Sequence, residues 1–433
     1  MSALSRLAAP RAESDLAGAV SALFANPERA APTDPLGAVA HQQGGDQSTG
    51  PPADARRFLG GPTGLGTSAA RIPGRPSDIP GPVPVPDRRQ GAGTSAGAGL
   101  VSASPSSVGR PAGGGSPLEL FCPPAVRDDR RLGEEVNDGL LDWAEHVGIY
   151  PGHLDRLQAA NFGRLIMLTH PATDDPDRLL AAGKCIVAEW ATDDHFLDDE
   201  SLGADERVIG SRLAISYAAV DPADLPARHA PELDEALSRE PVAVAYRSAF
   251  EYLTRYATPA QIARLHHQLA VMFMAYNHEA NWRATKRVPP VWEYLLHRHE
   301  NSFLPPMVLV DPIAGYELPA EEFADPRVRR VICLAGSASV ILNDLYSKSK
   351  ESDADFDLPK VIAAEERCSA EEAIERTVEI HNELMHTFVA EASAISHLGS
   401  PALRRFLTDI WAWLGGNREW HSTTERYHDA STT

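Results

Sequence analysis

Residues 185–200 read Cys185-Ile186-Val187-Ala188-Glu189-Trp190-Ala191-Thr192-Asp193-Asp194-His195-Phe196-Leu197-Asp198-Asp199-Glu200. The first half is apolar and lacks the alternation of a half-buried strand, so it reads as a core helix. The second half then delivers carboxylates from an interior element. On a continued helix Asp194 and Asp198 are four residues apart and share a face, with Asp193 beside them. Crowded carboxylates repel one another. A divalent cation removes that cost, and Mg²⁺ takes one or two carboxylates together with phosphate oxygens and water. Asp128-Asp129 and Asp174-Asp175 are acidic pairs too. They lie in loop or helix-start contexts and read as solvated surface.

A second apolar run, Val331-Ile332-Cys333-Leu334-Ala335 through Val340-Ile341-Leu342, leads into Asn343-Asp344-Leu345-Tyr346-Ser347-Lys348-Ser349-Lys350-Glu351. Asn343, Ser347 and Glu351 recur every four residues, a stripe of oxygen donors down one helix face. Amide, hydroxyl and carboxylate together can chelate Mg²⁺ with phosphate completing the octahedron. Lys348 can reach a phosphate as a point charge. Alone, this row reads equally well as a helix leaving the core. Two oxygen-bearing walls facing across a bundle make a cavity for a metal-bridged diphosphate.

On these motifs the chain resembles the bacterial class I terpene synthases. Their aspartate-rich motif matches Asp193, Asp194 and Asp198, with one extra spacer. Their Asn-x-x-x-Ser-x-x-x-Glu motif matches Asn343, Ser347 and Glu351 without departure. The resemblance implies a diphosphate-sensing Arg at Arg298, in Tyr294-Leu295-Leu296-His297-Arg298, and a diphosphate-gripping pair at Arg426-Tyr427. Arg is the residue type such contacts need, because a guanidinium binds phosphate oxygens in pairs. The resemblance covers about residues 118–428 and implies several Mg²⁺ ions per site. Phe121-Cys122-Pro123-Pro124, Val147-Gly148-Ile149-Tyr150-Pro151 and the 193–200 stretch resemble most closely the 2-methylisoborneol synthases of actinomycetes. The substrate that this resemblance implies is 2-methylgeranyl diphosphate. Trp190, Phe196, Tyr294, Phe303, Tyr346 and Trp420 are candidates for an aromatic pocket, although helix-spaced aromatics are more often plain core.

Other readings stay open. A sesquiterpene synthase acting on farnesyl diphosphate would carry the same motifs. A chain-elongating prenyltransferase would carry two aspartate-rich motifs, which the Asn/Ser/Glu row argues against. A non-enzymatic all-α scaffold leaves the 343–347–351 stripe and the two arginines unexplained.

Working outward, the texture changes near residue 117. Met1 to Ser116 is crowded with Gly, Pro, Ser and Ala, as in Pro80-Gly81-Pro82-Val83-Pro84-Val85-Pro86. Such a segment buries too little apolar area to offset its ordering entropy, so residues 1–116 are expected to be a disordered arm. Residues 117–433 are expected to be one α-helical terpene cyclase domain. The expected helices are 130–148, 152–169, 176–194, 207–220, 231–256, 259–285, 290–299, 300–311, 326–349, 369–396 and 401–425, many opening on proline. Ser369-Ala370-Glu371-Glu372 reads as a capping box.

The chain has 433 residues and a formal net charge of -20, from Asp+Glu 60 against Lys+Arg 40. That balance argues against nucleic acid, whose phosphates call for clustered Lys and Arg. Four scattered cysteines, Cys122, Cys185, Cys333 and Cys368, suggest a reduced cytoplasmic protein, with Cys185 and Cys333 buried. No export signal is legible, and no apolar run approaches the roughly 20 residues that span a bilayer. The histidines, including His266, His267, His297, His299, His381 and His386, read as surface or core residues. Related bacterial folds pair, so the resemblance implies a homodimer.

Overall fold

The computed structural model describes residues 119–199, 202, 204–347 and 356–424, and these belong to one compact unit. The arm expected over residues 1–116 lies outside them. No β-strand occurs among the described residues. The helices are α1 Arg130–Val147, α2 Leu154–Ala160, α3 Phe162–Thr169, α4 Pro176–Asp193, α5 Ile209–Val220, α6 Ala230–Arg239, α7 Pro241–Leu253, α8 Pro259–Thr285, α9 Val291–Glu300, α10 Pro326–Ser347, α11 Leu358–Glu366, α12 Ala370–Ser396 and α13 Pro401–Thr423. Single helical turns fall at Leu304–Met307, Val310–Ile313 and Ala320–Phe323.

The chain writes many of these boundaries chemically. Pro176, Pro241, Pro259 and Pro401 open their helices, where a missing N–H costs no hydrogen bond. The Ser369–Glu372 capping box forms as expected, and Thr258 with Gln261 makes a second one at the start of α8. Three expected helices are broken. The 152–169 run divides at Asn161, whose left-handed backbone (φ 51°) ends α2 while its side chain accepts from Arg164 N–H to start α3. The 231–256 run divides at Glu240, the extended residue before Pro241, because a residue preceding proline is pushed out of the α region. The 300–311 run, with Pro305 and Pro306, makes only isolated turns.

Helix α4 is buried along its length, from Leu179 to Thr192, with α1, α3 and α7 packed around it. An apolar helix wrapped on all sides is a core element, so its C-terminal end can deliver carboxylates into the interior. Helix α3 is squeezed between α1 and α13. A Cβ at Gly163 would lie 2.2 Å from the Asn137 backbone nitrogen, and one at Gly416 would lie 2.4 Å from the Leu168 carbonyl. Helix α10 packs along α12 and also touches α9 and α13. All four cysteines are free. Cys185 and Cys122 are buried, whereas Cys333, expected inside, is only half-buried. No described helix is long and apolar enough to cross a membrane.

Candidate active site

One cavity of about 330 Å³ collects the sequence-predicted residues that the structure describes: Asp193, Asp194, Asp198, Arg298, Asn343 and Ser347 all line it. Lys348, Glu351, Arg426 and Tyr427 lie outside the described residues. The cavity has two tiers, set by the order of residues along its helices. The upper tier is polar and is built from the later turns of α4, α8 and α10. The lower tier lies one to two turns back, about 5.4 Å per turn, with Trp190 on α4, Met272 and Tyr276 on α8 and Val340 on α10. Phe303, which follows α9, joins it.

The aspartate wall does not continue as an α-helix. Residues Asp194–Asp198 form a single π-turn, closed by Asp199 N–H donating to Asp194 O at 2.9 Å. Such turns hold one residue more than an α-turn and occur often at functional sites. The turn is strapped from all sides. Tyr150, in a left-handed backbone conformation (φ 56°), donates its hydroxyl to Asp194 Oδ2 at 2.7 Å. Arg156 pairs with Asp199 at 2.7 Å. Arg212 donates to the His195 carbonyl at 2.9 Å, pairs with Glu240, and stacks 4.0 Å above the Phe196 ring. Arg283 donates to the Leu197 carbonyl at 2.8 Å and pairs with both Asp198 (2.9 Å) and Glu279 (2.7 Å).

The charges on this wall are poorly balanced. Burial raises the Asp193 carboxyl well above the usual carboxylate range, and repulsion from Asp198, Glu279 and Asp194 adds to it against Arg283. Asp198, on the exposed side of the turn, is raised as well by partial desolvation, with Arg283 opposing. Glu279 goes the other way. Burial would raise it, but a hydrogen bond from His297 and the charges of Arg283, His297 and Arg298 bring it down to about 2. Helices α4 and α8 also aim their C-terminal turns here, and the partial negative charge of a helix C-terminus favours cations.

The facing wall is neutral and aimed. His421 Nδ1–H donates to the Asn417 carbonyl (2.8 Å), leaving Nε2 to accept from the Asn343 amide nitrogen at 3.0 Å. The Asn343 oxygen faces Arg298 Nη2 at 3.5 Å. Arg298 Nε donates to Asp344 Oδ1 at 2.9 Å, and Nη2 donates to the same oxygen. Asp344 is fully buried and also accepts from the Tyr294 hydroxyl (3.1 Å) and Leu358 N–H (3.2 Å). Burial works against the Arg298 charge, but Asp344 outweighs it and keeps the guanidinium protonated.

A divalent cation fits this donor set. Asp193, Asp194, Asp198, Asn343 and Ser347 all offer oxygen donors, and Arg283 only partly offsets the repulsion among the crowded carboxylates. Among the described residues no three His, Cys, Asp or Glu side chains close into a cage by themselves. Mg²⁺ keeps water and phosphate among its ligands and needs only one or two carboxylates from the protein.

Several wall residues carried no signal in the motifs. Glu279 and Arg283 are one turn apart, a spacing that usually marks an exposed ion pair. His297, read as a surface or core histidine, is a buried cavity-wall residue 3.3 Å from Glu279. Of the candidate aromatics, Trp190, Tyr294 and Phe303 line the cavity, joined by Tyr276 and Phe356. Phe196, Tyr346 and Trp420 are buried behind that lining, with Trp420 5.8 Å from Trp190.

The fold, the two walls and the cation-seeking carboxylates define an all-α prenyl diphosphate cyclase. A family model for terpene synthase family 2, C-terminal metal binding, matches residues 184–387, and the chain belongs to the terpene synthase family. It is 38% identical to 2-methylisoborneol synthase of Streptomyces ambofaciens over 382 residues, covering 86% of this chain and 81% of the relative. It is 37% identical to 2-methylisoborneol synthase of Saccharopolyspora erythraea, covering 79% of this chain and 97% of the relative. The crystal structure of 2-methylisoborneol synthase from Streptomyces coelicolor A3(2), in complex with Mg²⁺ and 2-fluoroneryl diphosphate, matches with a TM-score of 0.68 at 37% identity. That match covers 71% of this chain and 96% of the crystallised one.

Proposed function

We propose that this chain ionises 2-methylgeranyl diphosphate and cyclises it to 2-methylisoborneol with release of diphosphate. The observation that carries the reading is the cavity in which Asp193 and Asp198 face Asn343, Ser347 and the half-buried Arg298 above an aromatic lower tier. The high identity to 2-methylisoborneol synthases over most of the chain sets the substrate.

In this reading Asp193, Asp194 and Asp198 on one wall, and Asn343, Ser347 and Glu351 on the other, would hold several Mg²⁺ ions. When bound, Mg²⁺ neutralises phosphate charge and so favours departure of the leaving group. Arg298, pre-aimed by Asp344, donates to the diphosphate oxygens, and Lys348, Arg426 and Tyr427 are assigned to the same anion. Trp190, Tyr294 and Phe303 fold the hydrocarbon chain, and each aromatic face stabilises a passing cation by about 0.5–2 kcal/mol. The buried lower tier keeps bulk water away from that cation.

The protein is expected in the cytoplasm as a homodimer, which light scattering on purified material tests. The function is tested by incubation with Mg²⁺ and, separately, geranyl, 2-methylgeranyl and farnesyl diphosphate, followed by gas chromatography–mass spectrometry. A dominant 2-methylisoborneol peak from the methylated substrate is the expected result. A cyclic product from farnesyl diphosphate alone would keep the class and overturn the substrate. No turnover of any of the three by folded protein would favour the scaffold.

A further inference from the structure

Glu189 stands in the wrong tier for a metal ligand. It precedes Asp193 by four residues on α4, so it lines the same cavity about 6 Å further back along the helix, with Trp190, Met272, Tyr276 and Val340. It is 6% exposed, and among the described residues its Oε1 has no hydrogen-bond partner. Its electrostatic neighbours are the phenols of Tyr246 and Tyr276 and the thiol of Cys185, with no cation among them. Burial alone raises its carboxyl well above the usual range. A buried carboxyl oxygen without a partner costs stability, so its retention beside Trp190, Met272 and Val340 calls for a use. Tyr276 and Ser302 offer further hydroxyls in the same cavity wall, and Ser302 Oγ is also buried without a partner among the described residues. A site with two to four polar partners inside an apolar cavity is where a protein holds a single water.

We propose that Glu189 holds the water molecule that quenches the final carbocation, and so decides that the product is an alcohol rather than a hydrocarbon. The inference rests on the cyclase reading above. A neutral acid suits this place. A carboxylate would pair with the carbocation or capture it as an ester, whereas an acid both accepts from water and donates to it. In the step itself, a lone pair of the water oxygen forms the C–O bond to the carbocation. One O–H bond of the resulting oxonium breaks, and its proton passes to the departed diphosphate. Substrate plus water gives alcohol plus diphosphate, with no other reactant.

The experiment compares the parent with Glu189→Met and Glu189→Gln on 2-methylgeranyl diphosphate. Diphosphate release and the alcohol-to-hydrocarbon ratio are read in the same vials, in ¹⁸O-labelled water. Met fills the volume without holding water, and removing an unpaired polar group keeps the fold. Glu189→Met should still release diphosphate, while its alcohol-to-hydrocarbon ratio falls about ten-fold or more. Glu189→Gln, whose amide also accepts and donates, should keep a labelled alcohol as its main product. An unchanged ratio in Glu189→Met overturns the inference. So does loss of diphosphate release in folded Glu189→Met, which would tie the residue to ionisation. A hydrocarbon-dominated Glu189→Gln overturns it in favour of an ionised base. If the parent itself makes no alcohol from this substrate, the cyclase reading has failed instead.

Discussion

On the α4 side of the cavity, Asp193, Asp198 and Glu279 share one electrostatic neighbourhood that Arg283 only partly balances. On the α10 side, Asn343 and Ser347 bring no charge, and the acid between them, Asp344, is already matched by Arg298. The first wall supplies the demand for cations. The second supplies aim, through the His421–Asn343 and Arg298–Asp344 contacts. Attraction and orientation are thus carried by different helices, and the two can be broken separately.

The sharpest way to break the contrast is Asp193→Asn. Turnover should fall about 10³-fold as transition-state charge loses its counter-ions. Without metal, the same variant should melt higher than the parent, because it removes a carboxyl that burial and its neighbours disfavour. Asn343→Ala should lose turnover without that gain. A lower metal-free melting point for Asp193→Asn would refute the unbalanced-wall account.

The aiming wall should fail by instability. Asp344→Ala takes the fully buried carboxylate partner from the half-buried Arg298 guanidinium, at a cost of about 3 kcal/mol in denaturant unfolding. A change below 1 kcal/mol would show that Arg298 finds another partner, and the wall would lose its anchor.

Acid sensitivity should separate from both walls. His381, buried on α12 beside Asn382, Arg418 and His386, has its pKa lowered from 6.5 to about 4, chiefly by burial. Between those values the unfolded chain binds more protons, so stability rises with pH there. This contribution is present above about pH 6.5 and is lost as the pH falls towards 4. It amounts to about 3 kcal/mol. His381→Gln should flatten that part of the stability profile. An unchanged slope would assign the acid loss to other groups.

The mildest probe is mass action. Mg²⁺ and pyrophosphate together should stabilise the parent by about 2.7 kcal/mol at a hundred-fold excess over the dissociation constant, and chelation should reverse it. In Asp193→Asn the joint gain should shrink while pyrophosphate alone still binds through Arg298. An equal gain in both proteins would mean that the carboxylates do not recruit the cation.

The sequence exposes the parts of the site whose chemistry demands a period. Asn343 and Ser347 must share a helix face, and Asp193 and Asp198 must leave a core helix together, so their spacing is visible. Residues that act through tertiary neighbours leave no such trace. Glu279 and Arg283 look like any surface pair. Asp344 hides beside a motif residue, and Glu189 sits inside an apolar run that already explains itself as core. Among the helices, Pro259–Thr285 is legible to the residue because a capping box and a long periodic pattern agree. The breaks at Asn161 and Glu240 are missed because a single left-handed residue and a pre-proline residue interrupt patterns that otherwise continue.

The turn at Asp194–Asp198 has a consequence for how this chain can change. A π-turn amounts to one residue inserted into an α-helix without a compensating loop. Deleting a single residue there would let the regular ladder reform and would tighten the backbone. A π-turn and an α-turn sweep nearly the same angle, so the chain beyond would keep its direction, but the deletion would re-space the carboxylates of Asp194–Asp198 around Arg283. At this point in the gene a shorter, more regular helix is one codon away. Selection for a sturdier fold and selection for turnover would pull that codon in opposite directions.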